Sequence, residues 1–515
     1  MVHPTETIND IQKPWKHNNN NIFSLPGKLN SLSSNFMKGF LAICIFAIFS
    51  LCYISFFPGF SRWRPDCSQD AVIRAPHLNT GLPSGRGDDK TNISHILFGI
   101  GGSAETWSRR RRYCELWWEP NTTRGYVWLD EEPTVPWPET SPPYRISGDT
   151  ARFEYTNSYG SRSAIRMARI VKEGFELGLE NIRWFVMGDD DTVFFTENLV
   201  NVLNKYDHRE MYYIGSNSES VEQDLVHSYT MGYGGGGFAI SRPLAAALVG
   251  ILDGCIDRYA EAYGSDQKIG GCMSEIGVPV TKELGFHQMD IRGSPYGLLS
   301  AHPIAPLLSL HHLDYIQPLF PGRSRVASIQ KLFQAHNSDP GRTLQQSFCY
   351  DPTRNWSVSV SWGYNVQLYP FLVTAKDMST PLQTFLTWGT WSREPFTFNT
   401  RPMSLKPCER PIIYYFDGVE KFGNGNTTTS YRRPPRHQQR RKCDDDTYAR
   451  GYLVKGFNVS ATSIDPRTWN KSTTKAMLRY NQRLGSTGRR SSGENKGLQS
   501  RGISDTAALD HGGQL

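Results

Sequence analysis

Three consecutive carboxylates, Asp189, Asp190 and Asp191, are the residues of this chain best suited to chemistry. They follow the apolar run Trp184-Phe185-Val186-Met187 and one glycine, and β-branched and aromatic residues resume immediately after them. That is the pattern of a strand ending at an acidic group. Three carboxylates at a strand end repel one another unless a cation lies between them. Oxygen ligands with no local thiolate favour Mg²⁺ or Mn²⁺ over zinc, and such ions usually share their shell with water and substrate phosphates. The spacing therefore points to a metal that engages a nucleotide diphosphate. Taken alone, three aspartates read more simply as a solvated acidic turn, so the surrounding elements decide.

Those elements read as an α/β sheet. The stretch SHILFGIGGSAETWSRRRRYCELWW, from Ser94, runs from a strand into a glycine turn and then a basic, Trp-rich helix. Units of this kind open nucleotide-binding sheets. Arg109 to Arg112 could offer charge to a diphosphate, although a solvated face is the simpler reading of an arginine run. A second strand, Tyr126 to Glu131, precedes a Pro-rich loop. Ser161 to Leu179 then shows helical periodicity, with Ile165, Ala168, Ile170, Val171, Phe175 and Leu177 as its apolar face. This helix leads into the strand that carries the aspartates, and ligands in such sheets bind at the carboxyl ends of strands. A helix over Glu197–Tyr206, a strand over Tyr212–Ser216 and the segment YGGGGFAI, Tyr233 to Ile240, follow. Glycines without Cβ admit close approach of a ligand or another segment, or else mark a bulged turn.

Four ordered stretches carry a family resemblance: WFVMGDDDTVFFTENLVNVLNKYD, YYIGS, MGYGGGGFAISRPLAAAL and SDQKIGGCM. Together they resemble the catalytic region of glycosyltransferase family 31, especially its Fringe-like and core-1 galactosyltransferase-like branches. FHQMDIRG, LLSAHPIAPLLSLHHLD and REPFTFNTRP are most similar to plant Fringe-related β-1,3-glycosyltransferase-like proteins. The family core spans about Asn92 to Gly322, and the plant-type likeness reaches about Trp469. The resemblance implies a GT-A fold, a Rossmann-like mixed sheet with helices on both faces. It also implies a divalent metal, Mn²⁺ or Mg²⁺, a UDP-sugar donor, a glycan or glycoprotein acceptor and inversion at the sugar carbon, with β-1,3 linkage expected.

Residue by residue, the resemblance assigns Asp189, Asp190 and Asp191 to the D-x-D element, with Asp191 on the metal. Asp266, in SDQKIGG, matches the acidic residue that similar enzymes use as general base. Gly235 and Gly236 fall in the glycine run near the donor, and Arg166 is the weaker candidate for a phosphate contact. His311 of SLHHLD is the first choice for a third metal ligand and His287 of FHQM the second. Period two in an extended segment would turn His311 and His312 to opposite faces. The core-1 enzymes are similar in having a Cys upstream and G-x-C-M downstream of the same acidic residue. That likeness implies a disulfide from Cys255 to Cys272, against the alternative of two reduced, buried thiols.

The chain has 515 residues and a formal net charge of +7. From Tyr431 onward 17 Lys or Arg face 7 Asp or Glu, so the remainder is slightly acidic and no nucleic-acid groove is demanded. Residues 1–39 read as a cytosolic tail. Phe40 to Phe57 is an uncharged run that can cross a bilayer as an uncleaved signal anchor, with 58–91 as stem. Cysteines without C-x-x-C spacing and sequons at Asn92, Asn121, Asn355, Asn426, Asn458 and Asn470 fit a lumenal body in the Golgi membrane. Cys443 is expected to lack a partner. Residues 92–322 form the expected catalytic domain, 323–470 a smaller β-rich region and 471–515 a disordered basic tail. In the β-rich region Ser357–Leu372 alternates as one strand, and the aromatics around Trp388 and Trp391 read as packing rather than a sugar platform. The alternative to an enzyme is a catalytically silent, membrane-anchored glycan-binding or scaffold protein on the same fold.

Overall fold

The computed structural model describes residues 90–388, 398–423, 425–434 and 443–469, within one compact unit that begins at Asp89. The expected anchor at 40–57, its cytosolic tail, Trp391, Asn470 and the basic tail lie outside the described residues. Among the described residues, no helix is long and apolar enough to cross a membrane.

A seven-stranded mixed sheet forms the first layer, in the order β3-β2-β1-β4-β7-β6-β8. Its strands are β1 (Ile96–Gly101), β2 (Arg124–Leu129), β3 (Tyr144–Ile146), β4 (Trp184–Asp189), β6 (Tyr213–Gly215), β7 (Phe238–Ser241) and β8 (Val280–Lys282). β1 runs parallel to both β2 and β4, whereas β7 is antiparallel to β4 and β6. Every residue of β1 is buried, and so are Trp184 to Gly188 of β4. A central strand covered on both faces must read as a continuous apolar run, which is why β4 shows no alternation.

Helices cover both faces. On one face α2 (Ser163–Glu176), α5 (Arg242–Arg258) and α6 (Ser265–Ile276) pack together with Leu97, Phe185 and Ile240 of the sheet. The anticipated stripe on α2 holds: Ile165, Ala168, Ile170 and Val171 are buried, and Phe175 and Leu177 pack at its edge. On the other face lie α1 (Ala104–Cys114) and α3 (Thr196–Leu203), in a core that continues into the C-terminal region.

That C-terminal region contributes a six-stranded antiparallel sheet, opening with β12 (Gln346–Asp351), β13 (Trp356–Ser361) and β14 (Asn365–Tyr369). The stretch read as one strand over Ser357–Leu372 is a hairpin. It turns at Gly363, whose φ of +75° suits glycine. Strands 412–421, 426–432 and 456–462 complete the sheet. One apolar core runs from Ile96 to Val459, so the β-rich region is a second layer on the seven-stranded sheet and shares its core.

Disulfides join Cys255 to Cys272 and Cys408 to Cys443. The first is the expected bridge between α5 and α6. The second corrects the expectation that Cys443 lacks a partner, because the fold brings residues 35 apart in sequence to a Cα separation of 5.4 Å. Cys114 and Cys349 are free and buried.

Candidate active site

The carboxylates sit where β4 ends, and a small second sheet brings them a histidine. β5 (Val193–Phe194) leaves the aspartate turn and pairs antiparallel with β11 (Ser309–Leu310), which pairs in parallel with β9 (Phe286–His287). His311 follows β11 directly. Its Nε2 lies 3.2 Å from Asp191 Oδ1 and 3.6 Å from Asp189 Oδ2. One ligand atom from each of Asp189, Asp191 and His311 falls within 4.8 Å of the other two.

These residues fit a divalent cation. Burial, then Asp191, Asp190 and Asp266, push the Asp189 carboxyl up to about 8. Its side chain keeps one-third of its surface exposed, so we read the crowding of like charges as the dominant strain, and a cation would relieve it. Burial alone would raise Asp191 as well, but His311 and Arg110 outweigh it and hold this carboxyl below its ordinary range. Asp191 Oδ2 is buried with no hydrogen-bond partner. Two carboxylates and one imidazole form a hard-to-borderline donor set that suits Mn²⁺ or Mg²⁺ with further oxygens from substrate.

Asp190 is turned away from this triad. It accepts hydrogen bonds from Thr106 Oγ1 at 3.0 Å and from the Arg110 guanidinium at 2.8 Å. Arg110 also reaches Asp191 at 3.5 Å and Asp314 at 3.4 Å. The arginine run is thus not wholly a solvated face: Arg110, on the inner side of α1, holds the acidic turn. Thr192 Oγ1 accepts the Asp189 N–H and donates to the Gly235 carbonyl, at 2.8 and 2.7 Å. It ties the aspartate turn to the glycine run.

The glycine run is explained by contact. A Cβ on Gly235 would lie 2.0 Å from His311 Cε1, so only glycine lets this imidazole reach the carboxylates. Gly236 donates its N–H to Gln288 Oε1 at 2.5 Å, and its carbonyl accepts the Ser309 hydroxyl. Both glycines therefore shape the histidine side of the site.

Asp266 stands in the first turn of α6. Its Oδ2 accepts the Gly234 N–H at 3.1 Å and its Oδ1 accepts the Gln267 N–H at 2.9 Å. Asp266 is near enough to Asp189 to add to the rise of that carboxyl's pKa, and the Gly234 it binds is next to the Gly235 that meets His311.

Three expectations resolve differently. His287 is not with the triad: it is in register with core-facing Leu310, one residue from His311, and strand alternation sends it to the other face. There its Nδ1 meets Glu219 Oε1 at 2.8 Å. Arg166 gives its guanidinium N–H groups to the carbonyls of Trp128 and Gly102, both at 2.9 Å, and so ties β1 to β2. His311 and His312 do not face opposite ways. β11 ends at Leu310, His312 takes φ +54°, and the two rings lie 3.8 Å apart. His312 in turn pairs with the buried Asp290 at 3.1 Å. Arg110, Thr106, Thr192 and Asp290 carry no spacing signal that singles them out, because each meets the site only through the tertiary fold.

Comparison with known proteins agrees with this chemistry. The chain is similar to a beta-1,3-glucosyltransferase of Mus musculus, 32% identical over 138 residues, or 27% of each chain. It is likewise similar to a beta-1,3-glucosyltransferase of Homo sapiens, 32% identical over 105 residues, or 20% of each. The match thus spans about a quarter of those relatives' length. The family described as "Protein of unknown function, DUF604" matches residues 223–478, a range that includes Gly235, Gly236, Asp266, His287 and His311 but begins after the three aspartates. That range takes in β7 and β8 of the seven-stranded sheet as well as the β-rich layer.

Proposed function

We propose that this chain is a metal-dependent, inverting glycosyltransferase that moves a sugar from a UDP-sugar to a hydroxyl of a glycan or glycoprotein, in β-1,3 linkage. One observation carries the reading: the ligand atoms of Asp189, Asp191 and His311 converge within 4.8 Å near an acid, Asp266, that has no part in holding them. A divalent cation bound there would neutralise the departing diphosphate. Asp266 takes the proton of the acceptor hydroxyl as its oxygen bonds to the anomeric carbon. The bond from that carbon to the phosphate oxygen breaks on the opposite face, and its electron pair leaves with UDP. Two backbone N–H groups fix the Asp266 carboxylate, which matters because a displacement of ~1 Å can cost on the order of 100-fold in rate.

The same reading places the protein in the Golgi membrane, anchored by Phe40–Phe57 with its body in the lumen. The two disulfides fit an oxidising compartment. Sequon residues Asn92, Asn121, Asn355 and Asn458 are exposed, as glycan attachment requires. The deciding experiment is UDP release from a panel of UDP-sugars in Mn²⁺, with and without EDTA. Release from at least one donor, abolished by EDTA, is expected; no release from any donor in Mn²⁺ would overturn the reading.

A further inference from the structure

A histidine that ligates a metal through one ring nitrogen ordinarily gives the other to a carboxylate or a carbonyl, which fixes the orientation of the ring. His311 departs from that pattern. Its Nε2 faces Asp189 and Asp191, but its Nδ1 is buried without a hydrogen-bond partner. His287, away from the triad, shows the ordinary arrangement instead, with its Nδ1 on Glu219. Gly235 closes in on the His311 ring nearest its Cε1 and supplies no bond to that nitrogen. Something other than a hydrogen bond must therefore hold the ring toward the carboxylates.

A column of rings is in place to do so. His312 lies 3.8 Å from His311, centroid to centroid, with planes 33° apart. Trp388 lies 4.2 Å from His312, with planes 15° apart. Two rings this close to one centroid and this nearly parallel to it cannot share a face, so His312 is clamped between His311 and the indole. The clamp is anchored from two directions. His312 Nδ1 pairs with Asp290 Oδ1 at 3.1 Å, and Asp290 Oδ2 accepts the Ser218 hydroxyl at 2.5 Å. Trp388 directly follows strand Phe385–Thr387, which pairs antiparallel with β10 (Ile291–Gly293), and Tyr315 meets the indole edge-on at 4.7 Å.

We propose that His312 and Trp388 are positioning residues for the metal ligand His311. Their stack stands in for the missing hydrogen bond at Nδ1, so that the C-terminal region sets the affinity of the metal site. The inference rests on the metal-dependent reading and deepens it, because a region that lends no side chain to the triad takes part in holding the cation. A stacked aromatic pair is worth about as much as a net intramolecular hydrogen bond, so the one restraint can replace the other.

Calorimetry and pulsed EPR of Mn²⁺, with the full chain in detergent and UDP present, test this. The parent should bind Mn²⁺ and show nitrogen modulation of the electron spin echo from a directly bound imidazole. Trp388→Ala should weaken Mn²⁺ about 10- to 100-fold, as when a ligand's orienting partner is lost, and should reduce that modulation at saturating Mn²⁺. Trp388→Phe, which keeps a ring on His312, should restore most of both. His312→Ala removes the middle of the stack and leaves the indole, and it should act as Trp388→Ala does. A stabilising role alone would lower the melting temperature in EDTA and leave Mn²⁺ affinity and the nitrogen signal as in the parent. Unchanged Mn²⁺ affinity in Trp388→Ala and His312→Ala, an unaltered nitrogen signal, or no recovery by Trp388→Phe would overturn the positioning role and leave the metal-dependent reading standing. A parent chain that binds no Mn²⁺ would sink both.

Discussion

The two layers of this molecule spend their buried polar groups in opposite ways. In the first layer, carboxylates crowd the end of β4, and Asp191 Oδ2 is buried without a hydrogen bond, with Arg110 standing at 3.5 Å. In the β-rich layer, buried serines of β13 are hydrogen-bonded. β13 alternates Trp356, Val358 and Val360 with Ser357, Ser359 and Ser361, all buried. Ser357 accepts the Val373 N–H and Ser359 accepts from Gln346. Crowded carboxylates gather where a ligand is expected, whereas the supporting layer leaves groups such as Trp362 Nε1 and Tyr364 Oη without a hydrogen bond. The contrast implies that substitutions in the first layer change chemistry more than stability, and those in the second do the reverse.

The sharpest way to break that contrast is Asp189→Asn. It should lower sugar transfer by roughly 1,000-fold or more through loss of metal-assisted charge stabilisation, and abolish the Mn²⁺ dependence of UDP binding in calorimetry. In EDTA its melting temperature should equal or exceed that of the parent, because one crowded charge is gone. A clear loss of stability would show that the triad is a structural device. Asp266→Asn comes next. Transfer should fall by about 100- to 10,000-fold, the range for removing a general base, while Mn²⁺·UDP affinity holds. Undiminished transfer would disqualify Asp266 as the proton acceptor.

Gly235→Ala separates contact from chemistry, since it adds one methyl group and removes no ligand. The methyl must push the His311 ring away, so Mn²⁺ affinity should weaken about 10- to 100-fold, as when a ligand's orienting partner is lost. Unchanged affinity would mean that His311 is not a ligand.

The smallest effect lies at the seam between the layers. His336 is buried against the rings of Phe195 and Phe333, and burial lowers its pKa to about 3 from an ordinary 6.5. Between those values the unfolded chain binds the proton and the folded one does not. The contribution to stability is therefore complete above about pH 6.5 and is lost as the pH falls. At pH 5 the loss is about 2 kcal/mol. His336→Asn should flatten the stability profile between pH 7 and 5 relative to the parent without altering Mn²⁺·UDP affinity at pH 7. Parallel profiles for the two proteins would remove His336 as the cause.

Local order made part of this legible in sequence. The apolar run into Asp189 is continuous because β4 is covered on both faces, and α2 shows its stripe because only one face meets the sheet; both patterns are periodic and survive in one dimension. Four glycines in a row admitted either close approach or a bulged turn, and Gly235 against His311 supplies the close approach. The turn at Gly363 was not legible, because alternation on both sides of it reads as a single long strand. The site's remaining geometry depends on chain reversals that leave no periodic trace. Arg110 meets Asp190 across 80 residues, and Cys408 meets Cys443 across a segment with no repeat.

The sequence by itself thus determined the ligand types, the strand that presents them and the helix that backs it, because hydrophobic periodicity and charge repulsion act between near neighbours. The tertiary structure alone decided which histidine joins the carboxylates. Pairing of β11 with β5 and β9 puts His311 and His287 on opposite faces of one small sheet, and a shift of register by one residue would exchange them. It also decided that Trp388 stacks on His312, because the pairing of β10 with residues 385–387 brings the indole beside that ring.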